Sequence, residues 1–170
     1  MGSLYWQIND CWPVASWSSI DYFGKWKALH YTVKKAFQPF LISFENNETN
    51  LKVFVVSDAL KSIDANLKIK LMDFEGTILK QWNEEITIAE NQSKQYLSIL
   101  KNDFIKNINP NAVFIHAELL NKTNQTSISE NIIYLAPYKD LIFPKPELTF
   151  SVNEKLDAFE VTLKTNKLAK

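Results

Sequence analysis

Apolar and polar residues alternate with a period of two along most of the chain after residue 39. In one such stretch Leu67, Ile69 and Leu71 alternate with Lys68 and Lys70. Alternation of this kind predicts strands that bury one face. The predicted strands cover residues 40–45, 51–58, 67–74, 78–88, 96–100, 113–120 and 127–134. About seven short strands within roughly 100 residues are typical of an immunoglobulin-like β-sandwich.

Turn-forming residues separate these runs. Glu75 and Gly76, between the third and fourth runs, predict a tight hairpin. After the seventh run, a connector with two prolines occupies residues 144–147, and strand-like runs follow at 148–152 and 159–163. Two strands are marginal without a larger sheet to join. We therefore expect the last two runs to be the first strands of a second sandwich.

The pattern before residue 39 is different. Residues 4–8 are mostly apolar and precede the turn-forming pair Asn9-Asp10, which predicts a short buried strand. Helical spacing follows over about residues 22–37, with Ser18, Ser19 or Asp21 as the expected cap. The apolar face of this predicted helix comprises Trp26, Leu29, His30, Val33 and Phe37. The first segment is thus predicted to be strand, loop and amphipathic helix.

Composition and charge exclude several classes of function. The 46% hydrophobic content suits a globular core, and no run approaches the ~18 apolar residues that span a bilayer. The 19 basic and 19 acidic residues cancel, and every basic residue is lysine. Without arginine the chain lacks the usual bidentate reader of phosphate and guanine. We expect neither nucleic acid nor a membrane as a partner.

Few residues suggest metal or cysteine chemistry. The chain has a single cysteine, Cys11, so it cannot form an internal disulfide. A nucleophilic cysteine needs a nearby base, and the sequence shows none beside Cys11, so we expect its thiol to be a packing group. Together with His30 and His116 it supplies too few, too scattered ligands for a structural zinc site. His30 is expected to be a buried histidine with its hydrogen bonds satisfied, whereas His116 has no identifiable partner. Trp82 is expected in the sandwich core. We expect no metal and no cofactor.

Four of the five tryptophans lie between residues 4 and 26, within "LYWQINDCWPVASWSSIDYFGKWKALHY". This segment resembles the end of the catalytic barrel in β-mannosidases of glycoside hydrolase family 2. A later segment, "YLAPYKDLIFPKPEL" at residues 134–148, resembles the junction between that family's two closing sandwiches. The resemblance implies a mainly β chain: the last strand–helix unit of a (β/α)8 barrel at 1–37, an immunoglobulin-like sandwich at 38–142, and the start of a truncated C-terminal sandwich at 143–170.

The resemblance also implies a substrate and a site. β-Mannosidases of that family remove terminal non-reducing β-D-mannose residues by a retaining mechanism, which uses two glutamates on earlier barrel strands. Trp6 corresponds to a wall of the −1 sugar subsite, followed by a non-prolyl cis peptide. We expect Trp6, Asp10 and Trp12 to be substrate-binding, although Asp10 would alternatively cap its turn and brace the neighbouring loops. Trp17 and Trp26 are expected to be packing residues that seat the last barrel loop and helix on the following sandwich.

No carboxylate pair in this sequence replaces the two glutamates, so we expect no catalytic residue here. The resemblance identifies the chain as a C-terminal fragment that is inactive alone and needs upstream barrel residues of the same parent chain as partners, with β-mannoside glycans as substrates. The alternative is a non-catalytic carbohydrate-binding or interaction sandwich. A periplasmic or secreted location is favoured over a cytoplasmic one. Residues 4–37 should expose an apolar surface that favours self-association.

Overall fold

The computed structural model describes residues 4–168. Its helices and strands follow in the order α1 (Ala28–Ala36), β1 (Phe40–Asn46), β2 (Asn50–Ser57), β3 (Ile63–Asp73), β4 (Ile78–Ile88), β5 (Gln92–Leu100), α2 (Asn102–Ile105), β6 (Val113–Asn121), β7 (Ser127–Tyr134), β8 (Leu148–Glu154) and β9 (Phe159–Thr165). Short 3-10 turns occupy Pro110–Ala112 and Tyr138–Asp140. The described chain is mainly β.

Two antiparallel sheets form the sandwich. One has the strand order β1-β2-β5 and the other the order β4-β3-β6-β7. Alternate residues of β2 and β3 are buried, so each sheet turns one apolar face inward, as its period of two requires. Asn131 of β7 donates to the Ile42 carbonyl of β1 at 2.8 Å, which joins the sheets at one edge. The predicted β-sandwich fold is confirmed.

The sandwich core is built from branched aliphatic side chains of both sheets. Ile42 and Val53 come from the first sheet, and Leu67, Ile115 and Leu119 from the second. All five are fully buried. Burying each such side chain contributes about 1.5–3 kcal/mol, so this cluster is the main source of stability.

All seven predicted sandwich strands are present, with some boundaries moved. β3 begins at Ile63 rather than residue 67, because Ile63 pairs with Ile88 at the far end of β4. The hairpin predicted at Glu75-Gly76 is confirmed. Gly76 adopts a φ of 94°, which glycine tolerates, and the Asp73 carboxylate accepts hydrogen bonds from two backbone amides of the turn.

The predicted strand at residues 4–8 is wrong. Leu4 and Ile8 are exposed. The Gln7 and Ile8 carbonyls accept hydrogen bonds from backbone amides of residues 19 and 20, and the adjacent Asn9 makes an isolated bridge, but these contacts form no regular strand. An apolar run forms a strand only beside a partner strand, and residues 4–168 provide none at this position. The run therefore stays irregular.

The first helix is shorter than predicted, beginning at Ala28 rather than near residue 22. Asp21 accepts hydrogen bonds from the amides of Phe23 and Lys25, and Gly24 has a φ of 79°, so these residues form a turn that a helix cannot include. The predicted caps are also wrong: Lys27 occupies the N-cap position without a side-chain hydrogen bond to the helix.

The C-terminal strands form a separate hairpin. Among residues 4–168, β8 and β9 pair only with each other, and their apolar side chains, such as Phe150 and Leu163, are exposed. The Leu168 amide donates to the Phe74 carbonyl at 3.0 Å, and Lys167 pairs with Glu75 at 3.0 Å. These contacts tie the end of the described chain to the first sandwich. The division at residues 37 and 142 stays a prediction.

Candidate functional site

Residues 4–27, here called the tryptophan segment, present indole rings to solvent. Trp6, Trp12 and Trp17 are 76%, 64% and 78% exposed. Trp26 instead packs against His30 and Tyr31, with ring centroids 4.4 Å and 5.3 Å away. The predicted packing role is therefore wrong for Trp17. The peptide bond between Trp6 and Gln7 is cis, as the resemblance implies.

Asp10 lies at the centre of the hydrogen bonds that hold this segment. The residue is 6% exposed. One carboxylate oxygen accepts a hydrogen bond from Ser16, and the other accepts from Ser18 Oγ at 2.6 Å and from Lys27 Nζ at 3.0 Å. Since Lys27 also donates to Ser18 Oγ at 2.7 Å, the four side chains form one closed network. This network joins the start of the tryptophan segment to its end.

The same contacts keep Asp10 ionised. Hydrogen bonds from Ser16 and then Ser18 are the main causes that lower its pKa from 3.8 to about 2, and the Lys27 hydrogen bond and charge add to them. Burial acts in the opposite direction but is outweighed. Asp10 is therefore a carboxylate at neutral pH with no proton to donate. Its contact with a sugar stays a prediction.

A second set of hydrogen bonds holds the segment beside the helix. Ser19 Oγ lies 3.0 Å from the Ile8 carbonyl and 2.9 Å from His30 Nδ1. A hydroxyl has one proton, so if Ser19 donates to the carbonyl, His30 carries its proton on Nδ1 and donates to Ser19. The predicted satisfied histidine is confirmed at His30, although it is half-buried rather than buried.

Two other expectations about single residues are wrong. Cys11 is exposed rather than packed, because the loop that carries it lies outside any core. His116 does have a neighbour, since its Nε2 lies 3.7 Å from Glu130 of the adjacent strand β7. Trp82 is half-buried against the core and meets Phe104 edge-to-face at 5.9 Å.

Sequence reasoning missed Ser16 and Lys27 as partners of Asp10. They lie in irregular chain six and seventeen residues after Asp10, where no periodicity indicates which side chains meet. The one available signal was composition, since an acidic residue in an otherwise aromatic stretch requires buried partners. Ser18 was one of three alternatives for the helix cap and instead donates a hydrogen bond to the carboxylate.

Metal ligands do not cluster in the part of the chain that the structure describes: no three histidine, cysteine or acidic side chains between residues 4 and 168 come together. Within the same residues, no helix has the length and apolar character needed to cross a bilayer.

Known proteins resemble this chain along nearly all of it. The Mannosidase Ig/CBM-like domain family matches residues 49–140, just over half of the 170. β-Mannosidase A of Aspergillus oryzae is 30% identical over 97% of the chain, and the β-mannosidase of Rattus norvegicus is 46% identical over 42% of it. These stretches make up 20% and 8% of the two relatives. The chain thus spans about a fifth of the length of the first.

Solved structures agree with these matches. A crystal structure of β-D-mannosidase from Dictyoglomus thermophilum superposes with a TM-score of 0.82 at 30% identity, over 99% of this chain and 20% of that one. The exo-chitosanase CsxA of Amycolatopsis orientalis, at 15% identity and a TM-score of 0.65 over 95% of this chain and 22% of that one, shares the fold. The chain therefore belongs to the Mannosidase Ig/CBM-like domain family and is a relative of the β-mannosidases of glycoside hydrolase family 2.

Proposed function

We propose that this chain supplies one edge of the sugar site of a retaining β-mannosidase, which removes terminal non-reducing β-D-mannose residues. The observation that carries the proposal is the exposure of Trp6 and Trp12 on a segment that the buried Asp10 holds in place through its pair with half-buried Lys27. Relatives that match this chain over nearly its whole length are named β-mannosidases, which supports the choice of sugar.

The exposed indoles have the chemistry that a pyranose requires. A pyranose has an apolar face of C–H groups and a rim of hydroxyls. An indole covers such a face while its N–H stays available to a hydroxyl. Covering about 50 Å² of sugar contributes on the order of 1 kcal/mol. In this proposal Trp6 forms a wall of the −1 subsite, Trp12 lies beside it, and Asp10 acts mainly by holding the segment that carries both.

The two catalytic glutamates come, in this proposal, from barrel residues outside these 170. A retaining glycosidase needs a proton donor and a nucleophile about 5 Å apart. Asp10 is unsuited to be the donor because its lowered pKa leaves it ionised. Glu85 is paired with Lys122 at 2.7 Å on the sandwich, and Glu45 with Lys52 at 2.7 Å. We therefore expect no turnover by the chain alone.

A row of exposed aromatic residues on one sheet would favour the alternative of a carbohydrate-binding sandwich, but Tyr96, Phe104, Phe114 and Tyr134 are too sparsely placed in the sequence to indicate one. Phe104 and Phe114 are buried. These four residues therefore offer no platform for a glycan, and the barrel-edge proposal is preferred. The periplasmic or secreted location stays a prediction, as does the absence of a nucleic-acid partner.

The proposal is tested by joining the chain to the coding sequence that precedes it in its own gene and assaying hydrolysis of p-nitrophenyl β-D-mannopyranoside. Trp6→Ala should lower kcat/KM by about fivefold, which corresponds to about 1 kcal/mol. Trp17→Ala is the matched control, because Trp17 is equally exposed but has no proposed sugar contact. Equal losses in both variants, or an upstream sequence without a barrel, would overturn the proposal.

A further inference from the structure

Ser19 joins the loop that carries Trp6 to the first helix. The residue is fully buried, although it lies in irregular chain. Its amide donates to the Gln7 carbonyl at 3.0 Å, and its own carbonyl accepts from the Lys27 amide at 2.9 Å. Since Lys27 is the N-cap of α1, backbone contacts fix Ser19 between the chain that follows Trp6 and the start of the helix.

The Ser19 hydroxyl uses its whole hydrogen-bonding capacity. It donates to the Ile8 carbonyl at 3.0 Å, and its oxygen lies 2.9 Å from His30 Nδ1 and 3.4 Å from the Tyr5 hydroxyl. A hydroxyl has one proton and two lone pairs, so with its proton directed at the carbonyl it accepts from both His30 and Tyr5. Moving a buried hydroxyl with this set of partners leaves a donor or an acceptor unpaired, which is unfavourable.

These contacts hold the chain on both sides of Trp6. Tyr5 precedes it, Gln7 and Ile8 follow it, and all three are hydrogen-bonded to Ser19. The Trp6 indole itself is 76% exposed, so packing does little to hold the ring. The direction of the indole is therefore set by the backbone, and the backbone is held by Ser19.

His30 is in turn held by the helix and by a neighbouring ring. It lies in the first turn of α1, and its ring packs against Trp26 with the centroids 4.4 Å apart. A side chain that is already held by packing loses little further conformational entropy when it makes a hydrogen bond. His30 thus links the helix, through the Ser19 hydroxyl, to the loop of Trp6.

We propose that Ser19 and His30 are positioning residues for the substrate site. They act through Trp6, and they set where its indole meets the substrate without touching the substrate themselves. The inference rests on the proposed function, which places Trp6 in a wall of the site, and it adds the two residues that aim the indole.

Two substitutions of His30 separate this role from a general contribution to stability. An asparagine amide places an N–H donor about where Nδ1 lies, whereas a glutamine amide places it about where Nε2 lies, away from the Ser19 hydroxyl. His30→Asn should therefore keep the position of Trp6, and His30→Gln should lose it. Glutamine is the better helix former, so a loss caused only by a weaker helix would order the two variants the opposite way.

The first measurement does not depend on catalysis. It follows the indole N–H signal of Trp6 in the ¹⁵N-labelled 170-residue chain by NMR. Ser19→Ala and His30→Gln should shift this signal by more than its linewidth, and His30→Asn should leave it close to its original position. His116→Gln is the matched control, because His116 is a half-buried histidine of the sandwich strand β6, and it should not shift the signal.

The second measurement is kcat/KM for p-nitrophenyl β-D-mannopyranoside in the chain joined to its upstream coding sequence. His30→Gln should lower kcat/KM by about threefold, the lower end of what one lost hydrogen bond costs, and His30→Asn should not. In a Trp6→Ala background, His30→Gln should cause little further loss, because both residues act through one indole.

The His30 variants keep the test valid if Ser19→Ala disturbs the loop. The inference is overturned if His30→Asn and His30→Gln have equal effects, if neither Ser19→Ala nor His30→Gln shifts the Trp6 signal, or if the full threefold loss persists in the Trp6→Ala background. A Trp6 signal that shifts as expected, with kcat/KM unchanged even by Trp6→Ala, would instead overturn the proposed function and leave the anchoring of Trp6 by Ser19 intact.

Discussion

Protonating Asp10 should loosen the tryptophan segment, because the hydrogen bonds of Asp10 join parts of this segment to one another. The carboxylate accepts hydrogen bonds from Ser16, Ser18 and Lys27, and a proton on it removes an acceptor and the charge that attracts Lys27. These contacts join chain up to seventeen residues apart, so their loss should be felt over the whole segment.

The pH range follows from the pKa of Asp10, which is lowered from 3.8 to about 2 in the folded chain. A folded-state pKa below the unfolded value means that folding favours the anion. The stabilising contribution of Asp10 is thus fully present above pH 3.8 and is lost as the pH falls through about 2. We expect the tryptophan segment to stay ordered at pH 4 and to loosen below it.

The assay is a ¹³C NMR titration of the Asp10 carboxyl from neutral pH downward, with an expected midpoint at about 2. Because hydrogen bonds from the two serine hydroxyls are the largest single causes of the lowered pKa, Ser16→Ala and Ser18→Ala should each raise the midpoint. Ser151→Ala, an exposed serine of β8, is the control and should leave it unchanged. A midpoint near 3.8 in the unsubstituted chain, or serine variants that leave the midpoint unchanged, would refute the reasoning.

Three further outcomes are expected. Leu67→Ala should lower the free energy of unfolding by about 3 kcal/mol in a urea titration, because Leu67 is fully buried. The neighbouring control Lys68→Ala should change this free energy by no more than about 0.5 kcal/mol. Similar losses in both variants would contradict the assigned core. Exposed Cys11 should react with a maleimide without denaturant, and protection until unfolding would show that it is packed. In sedimentation velocity, the apparent mass of the chain should rise with protein concentration, because exposed indoles favour self-association. Trp17→Ser should reduce that rise. A chain that stays monomeric at every concentration would contradict this expectation.

The sandwich could be predicted from the sequence because its strands bury one face. In β3, the period of two that places Leu67, Ile69 and Leu71 in the core is visible in the residues themselves. The predicted strand ends were less accurate. The start of β3 depends on the pairing of Ile63 with Ile88, which lies about 25 residues away in the chain. Local patterns do not specify such pairings.

The candidate site was only partly predictable. The tryptophan-rich stretch was visible as a motif, but the exposure of Trp17 depends on which surfaces the rest of the chain covers. The ion pair of Asp10 with Lys27 and the contact of His116 with Glu130 both join residues far apart in sequence. The first lies in irregular chain and the second depends on the register of two strands, so neither has a periodic signal.

The measurement that tests the central claim most directly is hydrolysis of p-nitrophenyl β-D-mannopyranoside by the purified 170-residue chain. In the proposed function this chain forms one edge of the sugar site, and both catalytic glutamates lie outside it. We therefore expect no turnover above the uncatalysed rate. Turnover that persists through purification and is lost when an acidic residue of this chain is replaced would contradict the account, because the catalytic pair would then lie within these residues.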